Sequence, residues 1–378
     1  MKHYLLSAYI VMISLLLSAC GGGSKHSSVA TPLDTLSLKY AENLKIAEGK
    51  DYTVVQLRNP WDTTLCLHTY VLVDKKQPLP EQLPQGTVVR TPLSKSLIYT
   101  AVHCSLLESL EATPSIAAVC DAEYIKTESV VRGCQEGSIV NAGNSMNPDI
   151  EKIIDLHPDA ILLCPFENAG GYGRIEKLDI PLIECADYME TSALGCAEWM
   201  RFYGRLFGKA AMADSLFQVV EKNYNELKAL AATDSVKPSL VCDLKSGSAW
   251  YVSGGKSTTG KMYTDAGANY VFSHYPQSGG IPLSFETVAD LGQSADFWLI
   301  KYNQKTDKTL KELKQDFAPY AKFKAYQNKK VYGCNANRIR FFEDSPFHPD
   351  LILKDLVKVF HPHLLPDYEL KYFTPLAD

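Results

Sequence analysis

Glycine, aromatic and arginine residues recur in several short segments of the sequence, a combination that suits the binding of a small molecule. Glycines let the backbone approach a ligand, aromatic rings offer flat apolar contact, and arginines offer forked donors to an anion. The segments are 166–173, 250–257, 279–284 and 337–342. A single glycine-rich loop is typical of a simple chain reversal, so the prediction rests on the recurrence in both halves of the chain. The predicted ligand-binding residues are Tyr172, Trp250, Ser253, Gly254, Arg338 and Arg340.

The sequence lacks the motifs of nucleotide-binding, hydrolase and zinc sites. Residues 254–257 resemble the end of a phosphate-binding loop, but Trp250 stands where that loop requires its first glycine. No GxSxG or HExxH motif occurs, and the cysteines form no CxxC or CxxH pair. His361 and His363 follow the last predicted helix, where we interpret them as a solvent-exposed helix cap. The sequence therefore predicts no catalytic residue and no metal site.

The long segment 209–232 organises the elements that must position the predicted ligand-binding residues. It contains no Gly or Pro and is rich in Ala, Leu, Lys and Glu, which favours a helix. The apolar stripe predicted along it consists of Met212, Leu216, Val219, Val220, Leu227 and Leu230. Strand and helix signals alternate on both sides of this segment, which indicates two α/β lobes joined by a rigid rod. The alternative is an ordinary surface helix inside one large domain.

The short apolar runs of the two lobes indicate parallel strands. Runs such as 160–164 and 239–244 are apolar throughout, as in a sheet covered on both faces. Most of the glycine-rich and aromatic segments follow such runs, and open α/β sheets bind ligands at the carboxyl ends of their strands. Arg338 and Arg340 share a face only if their segment is extended, so one of them is expected to face the ligand. The sequence leaves open which one.

The amino-terminal region carries the features of an exported lipoprotein. Lys2 precedes an apolar run over 4–17, and Leu-Ser-Ala leads into Cys20, as in a bacterial lipobox. Cys20 is therefore the predicted lipidation site. The other nine cysteines are odd in number, and several lie singly within apolar runs, so we interpret those as buried small hydrophobic residues and leave disulfide pairing open. Lys and Arg number 38 against 43 Asp and Glu, without a basic run, which argues against nucleic-acid binding.

The chain is thus expected to be organised into six regions. Alternating apolar residues before a proline-rich stretch predict antiparallel strands ahead of the first lobe, and their role is open. The predicted regions are a signal peptide (1–20), a flexible tether (21–35), a β-rich addition (36–87), an α/β lobe (88–208), the connecting helix (209–233) and a second α/β lobe (234–378).

The segment 148–162 resembles a signature of a known protein family. It carries the pattern E-x-I-x-x-L-x-P-D-x-I-L and resembles the signature of periplasmic iron-chelate and cobalamin binding proteins, the helical-backbone class of ABC-transporter receptors. Segments 209–232, 279–300 and 345–360 are similar to the interlobe helix, a second-lobe segment and the terminal helix of that class. Residues 187–199 further resemble a subgroup of bacterial lipoproteins. The resemblance covers about 88–360 and leaves the β-rich addition outside.

The resemblance implies a fold, a ligand class and partners. The implied fold is two Rossmann-like lobes joined by one long helix, with a ligand cleft between them. The implied ligand is a ferric siderophore, haem or cobalamin, with no permanently bound cofactor. The implied partner is an ABC permease dimer with its ATPase, met by one acidic residue on each lobe, and the matching positions are Glu151 and Glu286. We expect a monomer anchored by lipid in the periplasm, with the choice of membrane open.

Two other functions compete with a transport receptor. An α/β enzyme would need a nucleophile with a base or a metal cluster, and the sequence shows neither. A surface scaffolding or adhesion lipoprotein would use the added β-rich region as its binding element.

Overall fold

The computed structural model describes residues 33–167 and 171–378. The predicted signal peptide, Cys20 and residues 21–32 of the predicted tether lie outside the described residues. Within the described ranges, none of the helices is both long enough and apolar enough to cross a membrane. The nine cysteines of these ranges are free thiols, and most of them are buried, as interpreted from the sequence, although Cys66 is exposed.

The β-rich addition is a five-stranded sheet. Its strands are β1 (Asp34–Thr35), β2 (Leu44–Glu48), β3 (Thr53–Arg58), β4 (Cys66–Asp74) and β5 (Thr87–Thr91), hydrogen-bonded in that order. The first four are antiparallel as predicted, but β5 pairs in parallel with β4. Residues 88–91 therefore belong to the addition, and the predicted start of the first lobe at residue 88 is wrong. The proline-rich connection before β5 is long enough for the crossover that a parallel neighbour requires.

The first lobe contains a parallel sheet in the order β12-β11-β6-β7-β8. The strands are β6 (Ser96–Ile98), β7 (Ile116–Val119), β8 (Val140–Asn141), β11 (Ala160–Leu163) and β12 (Leu182–Glu184), and a hairpin of β9 (Gly143–Asn144) and β10 (Asn147–Pro148) lies beside it. The helices are α1 (Ala101–Ser109), α2 (Glu128–Glu136) and α3 (Ile150–Leu156). The strand β6 has only three residues, too few to show a period in the sequence.

Helices α4 (Ala193–Glu198) and α5 (Met200–Leu206) end the first lobe, and α6 (Ala210–Ala232) connects it to the second. The predicted long helix is confirmed as α6. Gly208 adopts φ +67° before it, a conformation that favours glycine and ends α5. The buried residues of α6 are Ala213, Phe217, Val220, Tyr224 and Ala231, whereas Val219 of the predicted stripe is 54% exposed. The predicted stripe differs from the buried face because it left out Phe217 and Tyr224, whose large aromatic side chains are buried.

The second lobe has a sheet in the order β16-β13-β18-β19-β20, parallel except at β20. Its strands are β13 (Ser239–Cys242), β16 (Asn269–Tyr270), β18 (Phe297–Tyr302), β19 (Val331–Asn335) and β20 (Thr374–Pro375), and a smaller antiparallel sheet holds β14 (Lys245–Ser246), β15 (Ala249–Ser253) and β17 (Gly280–Leu283). The helices are α7 (Thr258–Asp265), α8 (Phe285–Gly292), α9 (Leu310–Asp316), α10 (Lys324–Gln327), α11 (Phe341–Asp344) and α12 (Pro349–Phe360).

Two buried carboxylates fasten the β-rich addition to the first lobe. Glu198, at the end of α4, accepts hydrogen bonds of 2.8–2.9 Å from the backbone N–H groups of residues 39–41. Glu190 accepts 2.9 Å bonds from the N–H groups of Glu42 and Asn43, and a 2.8 Å bond from the indole of Trp199. Burial raises the pKa of Glu190 although these donors oppose it. The addition is therefore held by the lobe's interior polar groups rather than by surface contact alone.

Candidate ligand-binding site

A cavity of about 660 Å³ lies between the two lobes. This volume falls within the range of pockets that enclose small-molecule ligands. Most of its wall belongs to the second lobe, and the first lobe contributes Tyr188 and Cys196. The wall is mainly apolar, and its larger members include Tyr188, Leu244, Tyr251, Met262, Phe342 and Phe373.

Three aromatic side chains of the cavity wall remain open to solvent. Tyr188 is 46% exposed, Tyr251 55% and Phe342 56%. Tyr251 lies on β15, where it pairs across the ladder with Pro282, while Tyr188 follows β12 and Phe342 follows β19. Exposed aromatic rings grouped around a concavity are typical of a surface that a ligand covers. They come from both lobes, so a ligand in contact with all three would bridge the cleft.

A lysine and an aspartate form an ion pair in the wall of this cavity. Lys301 Nζ lies 2.7 Å from Asp243 Oδ1, and Nζ also lies 3.5 Å from the hydroxyl of Tyr263. They meet because Asp243 follows β13 and Lys301 is near the end of β18, its parallel neighbour. Burial works against the ammonium, but the Asp243 carboxylate outweighs it and holds the pKa of Lys301 well above its usual value. Lys301 and Asp243 thus neutralise each other in the cavity wall.

A second cavity, of about 380 Å³, continues the cleft. It shares Lys301 and Phe342 with the larger cavity, and it is lined by Ala101 and Val102 at the start of α1. Its second-lobe wall includes Arg340. The two cavities therefore meet at Lys301 and Phe342 and form one interlobe cleft.

Arg340, rather than Arg338, faces the cleft. It donates to Glu108 Oε2 at 2.9 Å and to Ser105 Oγ at 2.8 Å, both on α1, and so ties the second lobe to the first. Its pKa is raised, because although burial opposes the charge, Glu108 and neighbouring carboxylates favour it more strongly. Arg338 pairs with Asp307 at 2.6 Å on the surface, where both side chains are more than half exposed.

The prediction that Trp250 contacts a ligand is wrong. Its side chain is completely buried, and the indole nitrogen donates to the carbonyl of Cys242 at 2.9 Å. Its ring packs among Trp298, Tyr320 and Phe323, with centroids 5.5–5.8 Å away. Successive side chains of a strand point to opposite faces, so the neighbouring Tyr251 reaches the cavity instead.

The remaining predicted ligand residues divide between the cleft and other places. Ser253 lines the larger cavity, whereas Gly254 is buried behind it, where an added Cβ would lie 2.2 Å from the carbonyl oxygen of Gln277. Gly254 is thus required by packing and does not line the cavity. Tyr172 lines neither interlobe cavity and instead donates a 2.7 Å hydrogen bond to Glu184 in a separate cavity of the first lobe. The assignments of Gly254 and Tyr172 to the cleft are corrected accordingly.

The other predicted functional residues lie on the surface or in structural contacts. Glu151 and Glu286 are exposed in the first turns of α3 and α8, and their predicted docking role stays a prediction. His361 is buried with Nδ1 2.8 Å from Asp234 Oδ2, so only His363 fits the expected exposed cap. Within the described ranges, no group of three or more His, Cys, Asp or Glu side chains is placed to hold a metal ion.

Sequence reasoning missed the ion pair of Lys301 and Asp243. A signal was present, because Lys301 is a charged residue close to the carboxyl end of an otherwise apolar run. Tyr251 and Phe342 lie in the predicted segments 250–257 and 337–342, but the sequence analysis selected Trp250 and Arg340 from these segments instead.

The sequence profile described as periplasmic binding protein matches residues 99–337. The chain belongs to this family. An uncharacterized lipoprotein of Methanocaldococcus jannaschii is 25% identical over 361 residues, covering 90% of this chain and 85% of the relative. The family match leaves out the strands of the β-rich addition, while the lipoprotein match is long enough to include most of them.

Solved structures of similar fold are substrate-binding proteins. A crystal structure of an ABC transporter substrate-binding protein from Listeria monocytogenes aligns with a TM-score of 0.57 at 18% identity, covering 71% of this chain and 99% of that one. A periplasmic heme-binding protein from Pseudomonas aeruginosa aligns with a TM-score of 0.58 at 12% identity, covering 76% and 99%. At such identities the likeness shows the fold, which is the predicted pair of α/β lobes joined by one helix.

Proposed function

We propose that this protein captures a metal chelate, namely a ferric siderophore, haem or cobalamin, in the interlobe cleft and delivers it to an ABC permease dimer with its ATPase. The observation that carries the proposal is the 660 Å³ cavity with three half-exposed aromatic rings drawn from both lobes. The heme-binding protein of similar fold supports a ligand of this kind, since a haem is a flat chelate with an apolar periphery.

The chemistry of the cleft indicates how such a chelate is held. Tyr188, Tyr251 and Phe342 offer flat apolar area, and each side chain has few torsions to immobilise on binding. Two cations of the cleft are paired, Lys301 with Asp243 and Arg340 with Glu108, while Lys126 and Lys245 also line it. Affinity is therefore expected to come mainly from aromatic contact, with charge-assisted bonds from Lys301 as a second contribution.

Native mass spectrometry of the full chain in detergent tests this proposal. The protein is incubated in turn with a ferric hydroxamate siderophore, haem and cobalamin, and a 1:1 complex with at least one of them is expected. The double variant Tyr251→Ala, Phe342→Ala should lose that complex, while Tyr52→Ala, outside the cleft, should keep it. Absence of any complex with the wild-type chain would contradict the proposal.

We also propose that Glu151 and Glu286 dock the loaded protein on the permease. Both are exposed on the first turns of helices that occupy corresponding places in the two lobes. Charge reversal at either residue should weaken association with the transporter and leave chelate affinity unchanged, because rim charges steer partners without lining the cleft. Glu226→Lys, on the exposed side of α6, is the matched control. Loss of chelate binding with docking intact would contradict this role.

We further propose that the protein is anchored by a lipid on Cys20. The similar lipoprotein of Methanocaldococcus jannaschii supports this. Metabolic labelling with a fatty-acid analogue should mark the wild-type chain and leave the Cys20→Ala chain unlabelled. Label that persists in Cys20→Ala would contradict it.

A further inference from the structure

The interlobe cleft is basic although the protein is acidic. The chain has a formal net charge of -5 at pH 7. Among the described residues, four cations but only two carboxylates line the two interlobe cavities. The cations are Lys126, Lys245, Lys301 and Arg340, and the carboxylates are Asp243 and Glu343. Because the walls of a cleft focus the field of the charges that line it, this excess of cations attracts an anionic ligand.

Carboxylates already neutralise two of the four cations. Lys301 pairs with Asp243 at 2.7 Å. Arg340 lies 2.9–3.6 Å from three carboxylates, one of which belongs to the first lobe. The excess positive charge of the cleft therefore resides on Lys126 and Lys245, one from each lobe.

Lys126 brings an ammonium group to the smaller cavity from the first lobe. Its backbone N–H donates to Glu343 Oε1 at 2.5 Å, and the hydroxyl of Thr127 donates to Oε2 at 3.0 Å, so this segment is fixed at the junction of the lobes. The side chain is only partly exposed, and within the described ranges its ammonium group forms neither a salt bridge nor a hydrogen bond. Ala101 and Val102, the first residues of α1, line the same cavity, where the N-terminal end of the helix adds partial positive charge. An anionic ligand group would therefore gain a charge-assisted hydrogen bond here.

Lys245 brings the second ammonium group to the larger cavity, from β14 of the second lobe. Its Nζ donates to the carbonyl of Gly247 and lies 5.6 Å from the centre of the Phe317 ring. Neither of these partners carries a formal charge, so the ammonium charge is not neutralised. An ammonium group has three N–H donors, so donors remain for a ligand.

The two lysines stand on either side of the aromatic wall of the cleft. The cavities meet at Lys301 and Phe342, so a chelate packed on the Phe342 ring borders both of them. Tyr124, which is 64% exposed, extends the aromatic wall into the smaller cavity. A chelate that fills both cavities therefore has its flat body on aromatic rings and its periphery at Lys126 and Lys245.

We infer that the chelate bound in the cleft is anionic, and that Lys126 and Lys245 hold its peripheral anionic groups, such as carboxylates. This ligand class rests on the proposed function and narrows it. Aromatic contact holds the body of the chelate, and the two lysines select its charge. Haem, which carries two carboxylates, meets this requirement, whereas an uncharged ferric hydroxamate does not.

Calorimetric titration of the full chain in detergent, at about 0.15 M salt, tests the inference with pairs of chelates that differ in charge. The pairs are haem and its dimethyl ester, the iron complexes of N-succinyl and N-acetyl ferrioxamine B, and a cobalamin monocarboxylic acid and cobalamin. At least one pair should bind. Its anionic member should bind about tenfold more tightly than its neutral member, because only the former makes charge-assisted hydrogen bonds with the lysines.

Lysine-to-methionine variants assign the preference to the two residues. Lys126→Met and Lys245→Met each remove a charge and keep a side chain of similar length. Each should weaken the anionic member about fivefold and leave the neutral member within about twofold of the wild type. The double variant should bind both members alike, with an unchanged circular dichroism spectrum. Lys311→Met, at an exposed position of α9, is the matched control and should change neither affinity.

Three results would overturn the inference and leave the capture of a chelate intact. The first is equal affinity for the two members of every pair that binds, and the second is an unchanged preference in the double variant. The third is an affinity for the anionic member that does not fall between about 0.05 and 0.5 M salt, since salt screens ammonium groups that solvent reaches. Absence of binding by all six compounds would instead contradict the proposed function, and the anionic ligand class with it.

Discussion

Trp250 and Tyr251 are neighbours on one strand, yet they belong to two different regions of the second lobe. Trp250 is completely buried and packs in a cluster with Trp298 and Phe323. Tyr251 is 55% exposed and lines the interlobe cavity. Both are large aromatic residues in the same glycine-rich segment, and only the side of the strand distinguishes them. Aromatic composition therefore locates the segment beside a site, whereas strand geometry decides which ring faces the cavity.

The largest expected difference between the two residues is the loss of stability when each is replaced by alanine. Trp250→Ala removes a buried ring and leaves a cavity, so it should lower the free energy of unfolding by about 3–5 kcal/mol. Tyr251→Ala removes an exposed ring and should change it by about 0.5 kcal/mol or less. Urea unfolding followed by circular dichroism measures both, and equal losses would remove the distinction between the two regions.

The same pair should show the opposite order in ligand binding. Tyr251→Ala and Phe342→Ala should each weaken the chelate at least tenfold, or about 1.4 kcal/mol, because each removes an aromatic contact from the cavity wall. Trp250→Phe, which keeps the core filled, should bind within about threefold of the wild type, a change of less than 1 kcal/mol. Calorimetric titration compares them, and a larger loss in Trp250→Phe would place the ligand elsewhere.

The sequence predicted long elements well and short elements poorly. Helix α6 is confirmed to within a residue at its start, because its composition and apolar periodicity extend over several turns. The three-residue strand β6 could not be predicted, since three consecutive apolar or small residues show no period. The addition's attachment through Glu190 and Glu198 could not be predicted either, because residues 39–43 meet these carboxylates only in the folded chain.

The candidate site was predicted at the level of segments rather than side chains. The segments near residues 251 and 342 do reach the cleft, as strand ends in α/β lobes should. Tyr172 instead faces a cavity built partly by the addition, which no local pattern connects with it. Arg340 faces α1 because its segment turns into α11, and the sequence did not show that turn.

Arg340 and Arg338 allow the same comparison between a half-buried and an exposed side chain. Arg340→Met leaves Glu108 and Glu343 without their partner in a half-buried interlobe contact, so it should lower the free energy of unfolding by about 1–2 kcal/mol. Arg338→Met breaks an exposed pair and should cost about 0.5 kcal/mol or less. Thermal and urea unfolding of the matched variants measures both, and equal effects would show that Arg340 does not join the lobes.

The smallest predicted effect is the contribution of Asp296 to the pH dependence of stability. Asp296 precedes β18, at the end of the strand away from the cavity. Although burial opposes it, hydrogen bonds from Lys324 and Ser239 lower the pKa of Asp296 to about 2. A carboxyl group with a depressed pKa in the folded state stabilises the protein above its unfolded pKa and loses that contribution as the pH falls. Between about pH 4 and pH 2, stability should therefore decline more steeply in the wild type than in Asp296→Asn. The side chain is partly exposed, so we expect a difference of only about 0.5 kcal/mol. Parallel urea midpoints across this range would contradict it.

The location of the chelate is the most direct test of the interlobe site. Crystals of the protein with the iron or cobalt chelate selected by native mass spectrometry would give an anomalous signal from the metal. The structure predicts that this signal lies inside the interlobe cavity, with the chelate in contact with Tyr251 and Phe342. A metal signal beneath the β-rich addition, or on the surface outside the cleft, would contradict the account.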